Sequence, residues 1–324
     1  MKRAARIAAT LVISGAAVAY ILTRIDIGKT LHIIGSASPG WLVLSAALTM
    51  VTVPPMAWRW QRLLAARGVH EQLPWLIRAY FVSYAVGQVL PTSVGGDASR
   101  IFETSRRHRG QITPIMGSVL VEQSLGGAVT LVLAGAGLLL AIGRYQIGAY
   151  VWIEALFVVA TLGAGVVFFS RSVRRRLVFA LPYARKLRLE TPARAVYDGI
   201  HGYRDHAGTL FGVSCVTLVL QLTRVMAIYA SGRAVGIGLS PLPYVVLGPL
   251  LFLVMLVPFT VNGLGVREAF FVSFLGHLGV SSDSAFACGF LFFIMTILLA
   301  LPGLALLLKE NVFFRRAAVP DAGS

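Results

Sequence analysis

Nine apolar runs, at about residues 7–23, 41–58, 75–90, 113–142, 149–170, 209–230, 243–259, 264–278 and 284–308, decide what this chain can fold into. Most are of the length that crosses a bilayer as a helix, about 20 residues. The residues between them do not supply a polar shell, since only 13% of the 324 residues are charged. A soluble domain of this size would carry about 25%. With 57% hydrophobic residues and a mean hydropathy of +0.78, the fold class expected is an all-α polytopic membrane protein, one integral membrane domain over residues 1–324. Cys215 and Cys288 both lie inside apolar runs and read as small core hydrophobes, not as a disulfide framework.

The net charge of +16 would point to nucleic acid in a soluble chain. Here the Lys and Arg residues fall in a few segments between apolar runs, as the positive-inside rule requires, so no nucleic-acid partner is expected. Lys2, Arg3 and Arg6 before the first run also fit a signal peptide, with Ala17-Val18-Ala19 as a cleavage site. The later topology works only if this segment stays as an anchor.

Taking every run as a full span breaks the charge rule. With the N-terminus cytoplasmic, the first run ends outside at Arg24–Lys29, and the second returns inside at Arg59, Arg62 and Arg67. A full crossing by 75–90 would then strand Arg100, Arg106, Arg107 and Arg109 outside. If instead 75–90 turns at Pro91–Asp97 and returns, those arginines stay inside. The run 113–142 crosses outward, 149–170 crosses back to a basic segment at 171–206, and 209–230 crosses outward to Arg233. A second pair, 243–259 and 264–278, dips in from outside, and 284–308 returns to Lys309, Arg315 and Arg316. The expected architecture is six full spans plus two re-entrant hairpins, about 75–109 and 243–279, with both termini in the cytoplasm. The segment 171–206 should lie as a basic amphipathic stretch on the anionic cytoplasmic leaflet.

The two turns resemble each other. Pro91-Thr-Ser-Val94-Gly95-Gly96-Asp97-Ala-Ser-Arg100 and Pro258-Phe-Thr-Val261-Asn262-Gly263-Leu-Gly265-Val-Arg267 both fit P-x-x-V-x-G-x-x-x-R. Each lies between two limbs and is flanked by a full span on either side, and the hairpins open to opposite faces. That is the pattern of an inverted repeat. Broken backbone at membrane depth is tolerated where protein or a water-filled cavity satisfies its amides, and transporters place substrate sites there.

Charges cluster at the same places. Asp97, Arg100 and Glu103 lie on the first return limb, and Arg267 and Glu268 on the second. Glu122 lies in the fourth run, and Gln221 and Arg224 share one face of the sixth. A charge at mid-span costs on the order of 2.5–3.5 kcal/mol on insertion scales, so such groups must pair or face water. The spacing of Asp97, Arg100 and Glu103 allows a carboxylate–guanidinium–carboxylate row on one helical face. Arg100 and Arg267, at matching repeat positions, are candidate anion ligands, because guanidinium binds phosphate in a bidentate manner. Arg224 is either a third anion ligand or a partner for Glu122, and Glu122 is either a proton-coupling carboxylate or a structural acceptor. Arg78 and Glu154 lie near enough to an interface to snorkel. His201, Asp205 and His206 are too few to argue for a metal, and no cofactor is implied. The metalloprotease, P-loop, nucleophile-elbow and CxxC patterns do not occur.

Three stretches together resemble the transmembrane region of the lysylphosphatidylglycerol synthase and flippase-like family. They are Trp58-Arg59-Trp60 with Arg62-Leu63-Leu64, the segment Pro91–Arg100 with Glu122, and Pro258–Glu268. The resemblance implies movement of anionic or modified lipids across the inner membrane, in some members polyprenyl-linked or hopanoid lipids. The family often has Glu-Arg where this chain reads Glu122-Gln123, which leaves the partner of Glu122 open. Only about 15 residues follow the last run, so the soluble aminoacyl-transfer domain of full-length synthases is not expected. The expected function is therefore a lipid flippase, not an enzyme, working by alternating exposure of a midplane anion site. Arg100 and Arg267 would hold the head group, and Asp97, Glu103, Glu122 and Glu268 would balance or release it. The rival is a membrane-embedded transferase or hydrolase acting on lipid phosphates, for which Ser93 and Ser99 are the nucleophiles on offer. A scaffold for envelope enzymes is a third reading.

Overall fold

A computed structural model describes residues 23–89, 95–141, 202–203, 205–256 and 265–317. All the regular structure among them is helical, in the order α1 Ile27–Gly35, α2 Pro39–Met50, α3 Val53–Ala65, α4 Leu73–Val89, α5 Gly95–Arg107, α6 Ile112–Ala141, α7 Ala207–Ala234, α8 Leu242–Leu256, α9 Val266–Gly276 and α10 Ser282–Ala317. The expected spans at 7–23 and 149–170, nearly all of the basic segment 171–206, and Pro91, Ser93, Pro258, Asn262 and Gly263 lie outside the described residues.

Four helical stretches are long and apolar enough to cross a membrane: Pro39–Ala65, Ile112–Leu140, Ala207–Ala234 and Ser282–Lys309. They coincide with four of the six expected full spans. Large apolar side chains such as Val132, Leu139, Phe211 and Val219 stand exposed on them, an arrangement that suits lipid and not water. The chain is thus a multi-pass membrane protein.

The first of these spans corrects the sequence reading. It is α2 and α3 joined end to end at Val51-Thr52, where the Thr52 hydroxyl donates to the Thr49 carbonyl at 2.6 Å. Pro54 and Pro55 sit in the first turn of α3, where a missing N–H costs nothing. The helix therefore runs on past residue 58 to Ala65, and Arg59 lies within its buried stripe, not beyond its end.

The other limbs are short. At about 1.5 Å per residue, the 17 residues of α4, 13 of α5, 15 of α8 and 11 of α9 give roughly 25, 20, 22 and 16 Å. Each falls short of a hydrocarbon core of about 30 Å. α4 and α5 pack antiparallel, as three contacts show. Arg107 reaches Glu71 at 2.7 Å just before α4, Arg78 reaches Glu103 at 3.6 Å, and Gly96 lies against Ser83 near the far end. A Cβ on Gly96 would sit 2.7 Å from the Ser83 carbonyl oxygen, so only glycine lets the limbs approach this closely. The same need recurs at Gly303 of α10, whose Cβ would fall 1.9 Å from the Phe81 carbonyl oxygen of α4.

The two ends of the molecule are distinct. At one end Tyr203 donates to the Leu63 carbonyl at 2.7 Å, Gln61 donates to the Glu71 carbonyl at 2.8 Å, and Glu71 takes Arg107 and His108. Burial pushes the Glu71 carboxyl up, but the Gln72 N–H, Arg107 and His108 outweigh it and hold the group below its ordinary range. At the other end Asp283 accepts from the Asp26 N–H at 2.8 Å and pairs with Lys29 at 3.5 Å, while the Ser38 N–H donates to the Ala234 carbonyl. The α4–α5 pair opens to the first end. The α8–α9 pair begins just after α7 and ends just before α10, so it opens to the second.

Candidate functional site

Two apolar clusters frame the site. One gathers Trp60, Leu64, Leu76, Tyr80, Ile115 and Val119 from α3, α4 and α6. The other gathers Ile228, Tyr244, Leu247, Phe271 and Cys288 from α7 to α10. The expected core role of the cysteines holds for Cys288, whereas Cys215 is exposed on the outer face of α7.

Charged side chains enter at helical spacing within otherwise apolar stripes. On α3 the buried positions Val53, Met56, Ala57, Arg59, Trp60, Leu63 and Leu64 form one face, which carries Arg59 inward. On α6 Ile115, Ser118, Val119 and Glu122 do the same, and on α4 Tyr80, Ser83, Tyr84 and Gly87 line one side. Arg100 is fixed on α5 by the tight Gly96 contact one turn before it, and Thr104 donates to its carbonyl at 2.7 Å.

These groups meet at Glu122. Its Oε1 accepts from Arg59 Nη2 at 2.5 Å, from Arg59 Nε at 3.2 Å and from the Tyr80 hydroxyl, and its Oε2 accepts from Arg100 Nη1 at 2.6 Å. Arg59 Nη1 donates to the Thr217 hydroxyl of α7 at 2.9 Å. Arg100 Nη1 also donates to the Tyr80 oxygen at 2.7 Å, and its Nε and Nη2 reach Asp97 Oδ1 at 3.0 and 2.8 Å. The Arg100 guanidinium lies 4.7 Å from the Trp60 ring centroid and 4.8 Å from that of Tyr80. The Trp60 indole is held in turn by Ser118 at 2.9 Å. Two guanidiniums and two carboxylates thus close a neutral, buried network across five helices. Assembling such a network gives little net stability, but removing one member leaves an uncompensated buried charge.

The structure settles several sequence readings by contact. Glu122 pairs with Arg59 and Arg100, and Arg224 is not among its partners; its two oxygens accept four hydrogen bonds. The row Asp97–Arg100–Glu103 is split: Asp97 pairs with Arg100, while Glu103 turns to Arg78 on α4. Arg78 is accordingly in an interhelical pair and not snorkelling alone. Gln123, at the position where the family often has arginine, donates to Asp97 Oδ2 at 2.6 Å. On the second pair, Gly265 caps α9 at φ +82°, a conformation suited to glycine. Its N–H donates to Glu268 Oε2 at 2.8 Å, while Arg267 reaches Glu268 Oε1 at 2.5 and 2.9 Å and lies 4.3 Å from the Phe293 ring.

Between the clusters lies a cavity of about 460 Å³. It brings together Arg59, Asp97, Arg100, Glu122, Gln221, Arg224, Arg267 and Gly96 from α3, α5, α6, α7 and α9. Four arginines against two carboxylates leave its lining at +2. The rest of its lining includes the apolar side chains Val225, Ile228, Leu251, Phe252, Phe292 and Leu299. Glu103, Glu268, Gly95, Gly265 and Ser99 are not on the cavity wall. Gln221 donates to the Thr130 hydroxyl of α6.

Sequence reasoning does not reach Tyr80, Tyr84, Met56 or Thr217, and it places Arg59 only at the cytoplasmic end of a span and in the Trp58-Arg59-Trp60 stretch. The structure buries Arg59 instead of leaving it at the cytoplasmic flank of a span. The signal that could have found it is its place in a stripe with Met56 and Leu63, where a solvated arginine has no reason to be.

A comparison with curated proteins finds no match. Residues 7–303 match the family model described as the lysylphosphatidylglycerol synthase TM region, so the chain belongs to that family and is a lipid-related membrane protein.

Proposed function

We propose that this chain is a flippase that moves an anionic or modified lipid, such as a polyprenyl-phosphate-linked or hopanoid lipid, across the bacterial inner membrane. The observation that carries this reading is the cavity between the two helix pairs, whose lining joins four arginines and two carboxylates to a set of apolar side chains. A lipid head group needs the first and the start of its tail the second. At about 460 Å³ the cavity holds a head group and a few methylenes, so the tails stay in the bilayer while the head crosses.

The two short pairs act as re-entrant hairpins of an inverted repeat. They open to opposite ends, so exposing the cavity to one side and then the other is a rocking of one pair against the other. Both termini lie in the cytoplasm, and the basic segment 171–206 rests on the anionic inner leaflet. The head group is held by arginines and released without any change in covalent structure, so the chain is not an enzyme and needs no cofactor. The test is a vesicle assay with a fluorescent phosphatidylglycerol whose outer-leaflet copies are bleached chemically. Protein-containing vesicles should lose more than half of the signal, and mass spectrometry should find no new lipid species. A covalent product, or a bleaching limit equal to that of empty vesicles, overturns the reading.

A further inference from the structure

The four arginines of the cavity are not equivalent. Arg59 and Arg100 are paired with Glu122, Arg100 also with Asp97, and Arg267 with Glu268. Arg224 has no carboxylate within ion-pair distance among the described residues. Its Nη2 donates instead to the Met56 sulfur at 3.2 Å. The Tyr84 hydroxyl donates to the same sulfur at 3.4 Å. A thioether is among the weakest acceptors a protein has. Two strong donors from α4 and α7, one of them charged, thus converge on one poor acceptor from α3, all three residues lining the cavity.

We infer that Arg224 and Tyr84 form the subsite for a phosphate oxygen, and that Met56 occupies it as a displaceable stand-in while no anion is bound. This deepens the flippase reading and rests on it for the source of the phosphate. An anion at the sulfur position receives a charged N–H and a phenol O–H at once, and the guanidinium offers its other nitrogens for a second oxygen. Methionine suits the stand-in role because its side chain is unbranched, with three rotatable bonds, and swings aside without disturbing α3. Val225 and Ile228, beside Arg224 on α7, line the cavity where the first methylenes of the tail would lie. Arg100 and Arg267, committed to carboxylates, shape the field around this point without meeting the anion first.

The test is equilibrium binding to the full chain in detergent micelles, with radiolabelled dioctanoyl phosphatidylglycerol, inorganic phosphate and uncharged dioctanoylglycerol as separate probes. Arg224→Gln should weaken phosphatidylglycerol binding roughly ten- to a hundredfold, the loss of a charge-assisted hydrogen bond. Tyr84→Phe should weaken it by about two- to tenfold. Met56→Leu removes the competing acceptor at similar volume and should tighten binding by about two- to tenfold, a gain that no misfolding can mimic. Met56→Gln supplies a better internal acceptor and should weaken it. Dioctanoylglycerol binding should not respond to any of the four. Inorganic phosphate should show the same ranking if the head group alone is recognised, and no binding if the tail is needed to reach the site. Either result keeps the subsite and identifies its source. Binding within twofold of wild type in Arg224→Gln, or Met56→Leu and Met56→Gln shifting in the same direction, overturns it. The same variants in the vesicle assay separate the two ideas. Wild type that binds in this pattern and does not flip lipid retains the subsite and loses the transport reading. Equal flipping by wild type and Arg224→Gln does the reverse.

Discussion

Replacing Glu122 by glutamine keeps the shape of the network and removes its central charge. Glu122 is 1% exposed and accepts four hydrogen bonds, three of them from guanidiniums. The amide oxygen of glutamine can keep the Arg59 and Tyr80 bonds at the Oε1 position. Its NH2 then faces Arg100 Nη1, a donor against a donor, and the buried network goes from neutral to +1. Breaking one partner of a buried ion pair costs about 3–5 kcal/mol. Arg59→Gln alone takes the network to −1 and removes three donated hydrogen bonds, two to Glu122 and one to Thr217, so it should also cost about 3–5 kcal/mol. The double variant restores neutrality, with Arg100 and Asp97 still paired and two amides able to meet. Its loss should fall about 1–3 kcal/mol short of the sum of the singles, the range of coupling between contacting residues. Equilibrium unfolding in mixed dodecyl sulfate and maltoside micelles, read by tryptophan fluorescence, measures all three. A Glu122→Gln protein within about 1 kcal/mol of wild type, or strictly additive losses, would refute the idea that this carboxylate ties the helices together.

Gly303→Leu should prevent assembly or lower the melting temperature sharply, because even its Cβ would overlap the Phe81 carbonyl; Gly276→Ala, with open space around its Cβ, is the control, and size-exclusion profiles compare them. Glu71 has a folded-state pKa below its ordinary value of 4.5, so its contribution is fully present above that value and lost as pH falls through the folded one. Melting temperatures measured from pH 6 to pH 3 should therefore drop less in Glu71→Gln than in wild type, and parallel curves count against the assignment. Cysteines placed near Arg106 and near Ser282 should label from opposite sides of the membrane, Arg106 from the cytoplasm; labelling of both from one side would end the inverted repeat. The double variant Ser93→Ala and Ser99→Ala should move lipid as wild type does, and a loss of transport there would revive the transferase reading.

Much of the architecture is legible in the chain because membranes force simple rules. Spans must be long and apolar, and charge bias fixes which links share a face, so the four long helices and two short pairs follow from hydropathy and arginine positions. The two short helices of the first pair run over Leu73–Val89 and Gly95–Arg107, and Gly96 marks their close approach at Ser83. The partners of the charges are not legible, because they depend on rotation and depth. Arg59 looked like the end of a span because a hydropathy window drops at Trp58-Arg59-Trp60-Gln61-Arg62, yet α3 continues and turns Arg59 inward. The row at Asp97, Arg100 and Glu103 assumed that a spacing of three keeps one face. Arg100 and Glu103 both face α4, but Glu103 lies one turn further along the antiparallel pair, level with Arg78 and away from Tyr80, and pairs there. Met56 and Tyr84 carry no sequence signal at all, since a methionine and a tyrosine in an apolar stripe look like core.

The two helix pairs are secured very differently. Arg100 of the first reaches α4 and α6, and through Glu122 is linked to α3 and α7, so that pair is cross-braced to the long helices. Arg267 and Glu268 of the second are neighbours on one helix, and their ion pair binds α9 to itself. Beyond that helix, Arg267 lies over the Phe293 ring of α10 at 4.3 Å, and on the flippase proposal this less braced pair is the part expected to swing. Hydrogen exchange should accordingly be slow in α5 and α6 and fast in α8 and α9, and on the same proposal substitutions in the second pair should alter the rate of lipid movement more than its affinity.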